Sequence, residues 1–431
     1  MAFNMNRVAC IVLSGGQGTR LFPLTAFRCK PAIYFAGRYR LIDVPISNAL
    51  NSGILKIFVL TQFLSSSLHR HILDTYRLGF FSQGFIDLLG AEQKPEQKEW
   101  YAGTADAVRK NLSHLKDSPV DYFIILSGDQ LYNMDFQEMI SFAEETDSDL
   151  TIASLPVQED DIKRMGALKI NDKQEIVDFY EKPTRKSVLD KVKVTGKLSG
   201  QGKSMTRGKG KNYLGSMGIY VFKKNTLLSI LEDDDRDDFG KHLIPTLINN
   251  KDIKVSTYLY DGYWEDIGTI KAFYDANMLL TTSTPGLNCY DDINSIYTRH
   301  YNLPGPKITD SRISSSIICE GSIVDAKEVS HSILGTRSVV GKNSVIKNSY
   351  VIGNDFYVDQ VTNRGESPRE VSIGKNCILD KVILDKNVSL GDNVSLTNPN
   401  NIENYDGDHV YIRDGITIVT DGASIPAGFT L

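Results

Sequence analysis

The sequence predicts a doubly wound, mostly parallel α/β sheet followed by a left-handed parallel β-helix of hexapeptide repeats. Three observations carry this. Short apolar runs alternate with helix-spaced segments over the first 280 residues. The early runs end in Gly, Ser, Thr or Asp. After about Arg312 a six-residue period takes over. A length of 431 residues suits two or three domains, each large enough for its own core.

Val8–Leu13 is apolar at every position and ends at Ser14-Gly15-Gly16, as a strand buried on both faces should. Ile54–Thr61, Tyr122–Leu126 and Leu150–Leu155 repeat the pattern. Helical spacing fills Tyr101–Leu115 and Asp135–Thr146 between them. Strand, helix, strand in this order predicts a doubly wound, Rossmann-like sheet, whose ligand crevice lies at the carboxyl ends of the strands. Thr195–Asn212 is rich in Gly, Lys and Ser and reads as a solvated surface insertion, with phosphate binding as the sharper alternative.

In the second half, Ile333, Val339, Val345 and Val351 are spaced by six. So are Ile317, Ile323 and Val329; Ile378, Leu384, Leu390 and Leu396; and Val382, Val388 and Val394. Gly335, Gly341 and Gly353 share such a grid, with Lys347 at the remaining step. Each turn of a hexapeptide β-helix has three short faces and points one aliphatic side chain inward from each. Asp355–Arg369 interrupts the grid as a loop leaving the solenoid. The expected boundaries are a catalytic domain over 1–280, a linker over 281–306 and the β-helix over 307–431.

Composition narrows the classes. Hydrophobic residues make up 41% and charged residues 23%, which excludes a disordered, collagenous or coiled-coil chain. A net charge of −5 gives no global pull toward nucleic acid or an anionic membrane, so neither is expected as a partner. No apolar run approaches the roughly 20 residues of a membrane span, and the first residues lack a signal-peptide layout. Five scattered cysteines without a CxxC fit reduced thiols in a cytoplasmic protein.

The strongest local signal is Leu13–Thr25, LSGGQGTRLFPLT. Gly15, Gly16 and Gly18 after the first strand let backbone N–H groups approach a phosphate. Thr19 closes the turn, and Arg20 adds a permanently charged fork. A P-loop would need Lys-Ser/Thr where Thr19-Arg20 stands, and a dinucleotide fingerprint would need Gly or Ala where Leu21 stands. Lys30 in RCKPA can reach the same phosphates. Arg38 and Arg40 follow, and Arg38 reads as surface charge. Asp129 ends the run YFIILSGD at a strand's carboxyl end, where a metal-binding carboxylate and an ordinary turn Asp are both reasonable. Glu181 and Lys182 should point to opposite sheet faces unless the strand ends or bulges before Pro183. Tyr101 reads as a packing aromatic and Gly166 as a turn residue. Asp238 suits a helix N-cap equally with a sugar contact.

GGQGTRLFPLT, RCKPAIYFAGRYRLIDVPISNALNSGI, WYAGTADAV, SGDQLYNMD, DFYEKP, SMGIYVF, DFGKHLIP and YLYDGYWEDIGT stand in the order seen in glucose-1-phosphate adenylyltransferases, the ADP-glucose pyrophosphorylases. The resemblance covers nearly the whole chain and looks closer to the plant-type than to the enteric-type enzymes. It implies transfer of the adenylyl group of ATP to α-D-glucose 1-phosphate, with Mg²⁺ and release of pyrophosphate, for glycogen or starch synthesis by a homotetramer. It implies that Asp129 and Asp266 hold the Mg²⁺, with Glu265 a weaker rival to Asp266. Arg20 and Lys30 would neutralise the nucleotide phosphates. Lys182 would bind the sugar phosphate and Glu181 the sugar hydroxyls, with Tyr101, Gly166 and Ser216 nearby. Gln93 would read the base edge.

The resemblance also bears on control. Phe27 stands where enteric-type enzymes carry an activator lysine. Arg413 and Asp421 stand at positions where plant-type enzymes carry two. Arg40 and Arg413 are therefore the candidates for a phosphorylated effector, and Asp421 predicts a weak response. The rival readings are a UDP- or GDP-sugar synthesis, a non-catalytic regulatory subunit of the same fold, and acyl transfer on the β-helix using His331.

Overall fold

The computed structural model describes residues 3–79, 81–91, 100–194, 198–200, 203–205, 210–359 and 369–431. In chain order the first half contributes β1 (Val8–Ser14), β2 (Lys56–Thr61), β3 (Phe85–Gly90), β4 (Tyr122–Ser127), β5 (Gln130–Tyr132), β6 (Leu150–Val157), β7 (Gly166–Ile170), β8 (Ile176–Glu181), β9 (Tyr213–Lys223), β10 (Val255–Leu259) and β11 (Trp264–Asp266). Nine of these, all but β5 and β11, form one sheet. Its main path is β8-β7-β9-β4-β1-β2-β3, and β6 pairs with both β9 and β10.

β1 is central, parallel to β2 and β4, and β3 extends that side in parallel. Alternation along β1 sends Val8, Cys10 and Val12 into one core and Ala9 and Ile11 into another, which is why the run is apolar throughout. On the far side β9 runs against β4, β6 and β7, and β7 runs against β8, while β10 lies parallel to β6. The sheet is therefore mixed: three of the apolar runs form its parallel centre, β1, β2 and β4, and the fourth, β6, lies between antiparallel β9 and parallel β10.

Phe136–Glu145 forms a helix capped by Asp135, whose carboxylate accepts from the Gln137 N–H at 2.8 Å. The predicted helix over Tyr101–Leu115 is shorter and interrupted. It begins at Thr104, after extended Gly103, and breaks at Asn111, whose side-chain amide turns back to the Ala107 carbonyl. Between Leu198–Gly200 and Lys203–Met205 the insertion forms a short antiparallel pair, and its remaining residues up to Lys209 lie outside the described residues.

From Lys307 the strands are two to four residues long; most stack in parallel as coils, while Asn404–Asp406, Val410–Arg413 and Ile416–Val419 pair antiparallel near the end. Arg312–Ser314, Glu328–Ser330, Val345–Lys347, Ile378–Asp380 and Ser395–Leu396 make one face. A second face carries Ile333–Leu334, Tyr350–Val351, Val382–Leu384 and Ile416–Val419. The period holds, but the inward residue is not always the one expected. Val324, Val340, Ile346 and Leu379 are buried, whereas Ile323 and Ile378 are exposed and Val339 and Val345 are half-buried. Each is half of an adjacent aliphatic pair, and neighbours on a strand point to opposite sides, so only one can face inward. Val358–Asp359 leaves the solenoid and pairs antiparallel with Arg369–Glu370; residues 360–368 of that insertion lie outside the described residues.

A third core joins the two halves. Leu21, Ile33, Phe35 and Phe273 of the first half pack in one cluster with Ile333, Tyr350, Ile352, Ile383 and Ile418 of the β-helix. Polar contacts fix its edges. The helix Ile270–Leu279 presents Asn277, which accepts from the Ala36 N–H at 2.9 Å, and Tyr274, whose hydroxyl donates to the Asn348 carbonyl at 2.6 Å.

Candidate active site

A cavity of about 590 Å³ opens at the carboxyl ends of β1 and β4 and runs over β7, β8 and β9. It gathers residues far apart in the chain: Arg20, Lys30, Asp129, Gly166, Glu181, Lys182, Ser216 and Asp266.

The glycine turn leaves β1 and enters a short 3-10 helix, Thr19–Leu21. Gly18 is left-handed at φ +64°, and a Cβ there would lie 3.0 Å from the Lys30 Cβ. Its carbonyl accepts from the Thr25 hydroxyl at 3.0 Å, which folds the following segment back beneath the turn. Nothing stands within 4 Å of where a Gly16 side chain would begin, so that backbone is open to a ligand. Arg20 reaches across, its guanidinium 3.6 Å from the Cβ position of Gly268.

Lys30 is buried beneath this turn. Its ammonium pairs with Asp129 and lies 3.6 Å from Asp266. Burial works against that charge, but Asp129 and then Asp266 outweigh it, so the pKa ends above the ordinary lysine value. Asp129 leaves β4 and accepts from the Ser127 hydroxyl. Asp266 ends β11, which pairs antiparallel with β5 and so brings residues 129 and 266 together. Burial and the neighbouring Asp129 both push the Asp266 carboxyl up, with Lys30 and Arg20 opposing. Two carboxylates this close need cationic charge between them. Glu265 also lines the cavity, and burial raises its carboxyl too.

The opposite wall is carried by β7, β8 and β9. β8 ends at Glu181, and Lys182 takes φ +47°, with its N–H donating to the Met165 carbonyl at 3.0 Å. Strand alternation stops there, so Glu181 and Lys182 both face the cavity, 3.6 Å apart. Burial raises the Glu181 carboxyl, Lys182 opposing and Asp238 adding to it. Gly166 is not a turn residue: it opens β7 and pairs with Glu181 on one side and Ser216 on the other. A Cβ at Gly166 would sit 2.4 Å from the Phe179 ring, so the close approach requires glycine. The Ser216 hydroxyl accepts from the Gly218 N–H at 3.2 Å at a register shift in β9.

Tyr101 sits outside the lining of the cavity. Its N–H donates to Gln62 at 3.0 Å, its hydroxyl accepts from Asn111 at 2.9 Å, and its ring lies 3.8 Å from a Cβ built on Gly15. Gln93 lies outside the described residues. Asp238 caps the turn Phe239–Leu243, accepting from the Lys241 N–H at 2.9 Å. Arg38 is half-buried and lies 3.7 Å from Glu320 of the β-helix.

Both effector candidates already have partners. Arg40 donates to the Ser67 carbonyl and the Tyr34 hydroxyl and lies over the Tyr34 ring. Arg413 pairs with Asp406 and donates to the Tyr405 and Ile412 carbonyls. Asp421 is the position from which a weak effector response is expected. Its carboxylate accepts from Arg28 at 2.5 Å.

Sequence reasoning missed several lining residues: Gln130, Lys163, Arg164, Tyr220 and Trp264; Lys211, which also lines the cavity, falls in the insertion for which phosphate binding was the sharper alternative. A signal existed for two of them, the basic pair Lys163-Arg164 just before Gly166. Gln130 ties the walls together, donating to the Met217 carbonyl at 2.8 Å while accepting from the Trp264 indole at 3.3 Å. A second cleft, about 630 Å³, lies between the helix Ile270–Leu279 and the β-helix and is lined in part by His331, Asp380, Lys381 and Glu403. His331 sits at a left-handed corner, φ +45°.

A glycine turn after the first strand, an arginine and a lysine beside it, and two carboxylates across from them form an arrangement suited to phosphate groups. The nucleotidyl transferase family model matches residues 9–283, and the chain belongs to that family. Residues 301–430 match the GLGC left-handed parallel beta-helix domain, which gives the solenoid its hand.

Proposed function

We propose that this nucleotidyl transferase takes ATP and α-D-glucose 1-phosphate to ADP-glucose and pyrophosphate, in the service of α-glucan synthesis. The observation that carries it is one cavity with Arg20, Lys30, Asp129 and Asp266 on one wall and Glu181 and Lys182 on the other. Two polyanions can then lie in line between cations, which is most of what phosphoryl and nucleotidyl transfer ask of a protein.

A phosphate oxygen of the sugar phosphate attacks the α-phosphorus of ATP, and the bond to the pyrophosphate oxygen breaks. The glycine turn would hold nucleotide phosphates on backbone N–H groups. Arg20 and Lys30 would take up charge on the transferring group and the leaving pyrophosphate. Lys182 would anchor the sugar phosphate and Glu181 accept from sugar hydroxyls. Asp129 and Asp266 fit a Mg²⁺. That ion typically takes one or two protein carboxylates and fills its remaining positions with water and substrate phosphates. Two acidic groups pressed together around a single lysine are such a donor set. When bound, the ion would supply Lewis-acid charge stabilisation at the phosphates.

Assembly as a homotetramer, Arg40 and Arg413 as contacts for a phosphorylated effector, and a cytoplasmic setting extend the same proposal by resemblance. No helix among the described residues is long and apolar enough to cross a membrane. The direct test is pyrophosphate release from each of ATP, UTP, GTP and CTP with glucose 1-phosphate. ATP alone should support rapid turnover; an equal or faster rate with UTP or GTP would overturn the adenylyl assignment.

A further inference from the structure

Arg20 and Lys30 bracket a compact segment, Leu21–Cys29. Leu21, Leu24, Arg28 and Cys29 within it are all buried, and Thr25 bonds it back to Gly18. The β-helix grips this segment twice. Near Arg20, the Phe22 ring meets Tyr411 edge-on at 5.3 Å. Near Lys30, Arg28 donates to Asp385 at 2.7 Å and to Asp421 at 2.5 Å. Asp385 is as buried as Arg28, and both carboxylates belong to the solenoid. Only Cys29 separates Arg28 from Lys30, and Cys29 is the extended cap of the 3-10 turn Lys30–Ala32. There is little slack between the ion cluster and the Lys30 ammonium.

We propose that Asp385 and Asp421 are positioning residues for nucleotidyl transfer, holding Arg28 and through it setting Lys30 between Asp129 and Asp266. This deepens the assignment of Lys30 to the transfer step and rests on it.

The cluster should leave a signature in pH. Asp421 faces Arg28, Asp385 and Asp355; Lys386 lies 3.4 Å from Asp355 and, with Arg28 and Arg40, borders the Tyr34 ring. Burial first, then Asp385, pushes the Asp421 carboxyl up to about 6, with Arg28 opposing. Above that pH the carboxylate is charged and the grip on Arg28 complete; as pH falls through it, the grip loosens and turnover should drop. Stability moves the other way. A carboxyl whose folded value lies above its ordinary one takes up a proton on folding. Keeping it charged therefore disfavours the fold progressively from about pH 4 to 6, and that cost persists above. Asp421→Asn should accordingly melt no earlier than wild type at pH 8, which separates lost turnover from lost fold.

The experiment measures kcat and both KM values from pH 5 to 8.5 for wild type, Asp421→Asn, Asp421→Lys, Asp421→Glu and Lys30→Gln. The expected results are threefold. Asp421→Asn loses the acid limb of kcat near pH 6 that wild type shows with the same substrates. Asp421→Lys loses about tenfold or more in kcat at pH 8, the order of an ordinary coupling between sites, with KM for the sugar phosphate little changed. Asp421→Glu stays within about twofold of wild type, below that coupling range. Coinciding acid limbs in wild type and Asp421→Asn, or equal losses in the Glu and Lys variants, would overturn the positioning role. Lys30→Gln separates the two levels. If it is inactive while the Asp421 variants behave as wild type, only the positioning role fails; if it keeps its kcat, the assignment of Lys30 itself fails.

Discussion

Asp129 carries the heaviest demand at the level of single residues. It follows β4, pairs with Lys30 and lines the cavity with Asp266, and the proposal asks it to hold a divalent cation. Asp129→Asn keeps the shape and removes the charge. We expect kcat to fall by at least about 10²-fold, several kcal/mol of lost transition-state stabilisation, with far-UV circular dichroism unchanged. Near-normal kcat at saturating Mg²⁺ would dismiss the metal role. Lys182 is more than half exposed and stands beside Glu181 on the wall proposed for the sugar phosphate. Lys182→Gln should raise KM for glucose 1-phosphate far more than KM for ATP, the mark of a group that binds one substrate's ground state. Equal rises in both would place it elsewhere. How these two residues came to the cavity was legible to different degrees. Asp129 follows an apolar run and could be placed at a strand end from sequence. Glu181 and Lys182 could not be resolved by alternation alone, because the left-handed φ at Lys182 depends on a bond to Met165, a residue before the preceding strand. Pro183 only hinted that the strand stopped.

Among the elements, the coils of the β-helix show what a period can and cannot specify. Gly335 and Gly341 each follow a two-residue strand, Ile333–Leu334 and Val339–Val340, at corners where the next coil's backbone crosses closely. Lys347 breaks the glycine grid because its corner is built differently. There the strand Val345–Lys347 runs one residue longer, and the lysine points out to Glu328, 3.4 Å away. A Cβ on Gly335 would lie 2.1 Å from the Ile352 carbonyl and 3.0 Å from that of Gly37, both backbone. Gly335→Ala should therefore cost ~1–3 kcal/mol or more, read as a lowered denaturant midpoint with an unchanged slope. No measurable change would mean the coils are looser than described. The antiparallel half of the main sheet was the least legible element. β9 is eleven residues long and pairs with three strands in turn, and the register shift between Ser216 and Tyr220 that allows this left no periodic trace.

For the molecule as a whole, the boundary between a sheet domain and a solenoid was visible as a change of period, but the joint between them was not. Residues 33–36 look like an ordinary connecting stretch, yet Ile33 and Phe35 lie in one core with Tyr350 and Ile383. Tyr350 is fully buried, beside Phe273 at 5.7 Å, and its hydroxyl accepts from the Gly37 N–H at 3.2 Å. A shared core of this kind predicts one calorimetric unfolding transition for the whole chain rather than two. Tyr350→Ala should lower stability by ~3–5 kcal/mol and begin to split that transition. Two resolved transitions in the wild type would mean the halves are energetically independent.

The joint also limits how such a chain can be rebuilt. Recombination at the change of period would look safe on paper, since it cuts between two recognisable modules. A sheet module given a foreign solenoid would present Ile33, Phe35 and Phe273 to whatever surface arrived. It would also leave the buried Arg28 guanidinium with neither Asp385 nor Asp421 to meet it. Viable hybrids should be confined to donors whose solenoid carries two acidic groups and an aromatic at the matching coil positions. Libraries built by swapping solenoids between relatives would then sort by that short match at the seam, with similarity across the rest of either module counting for little.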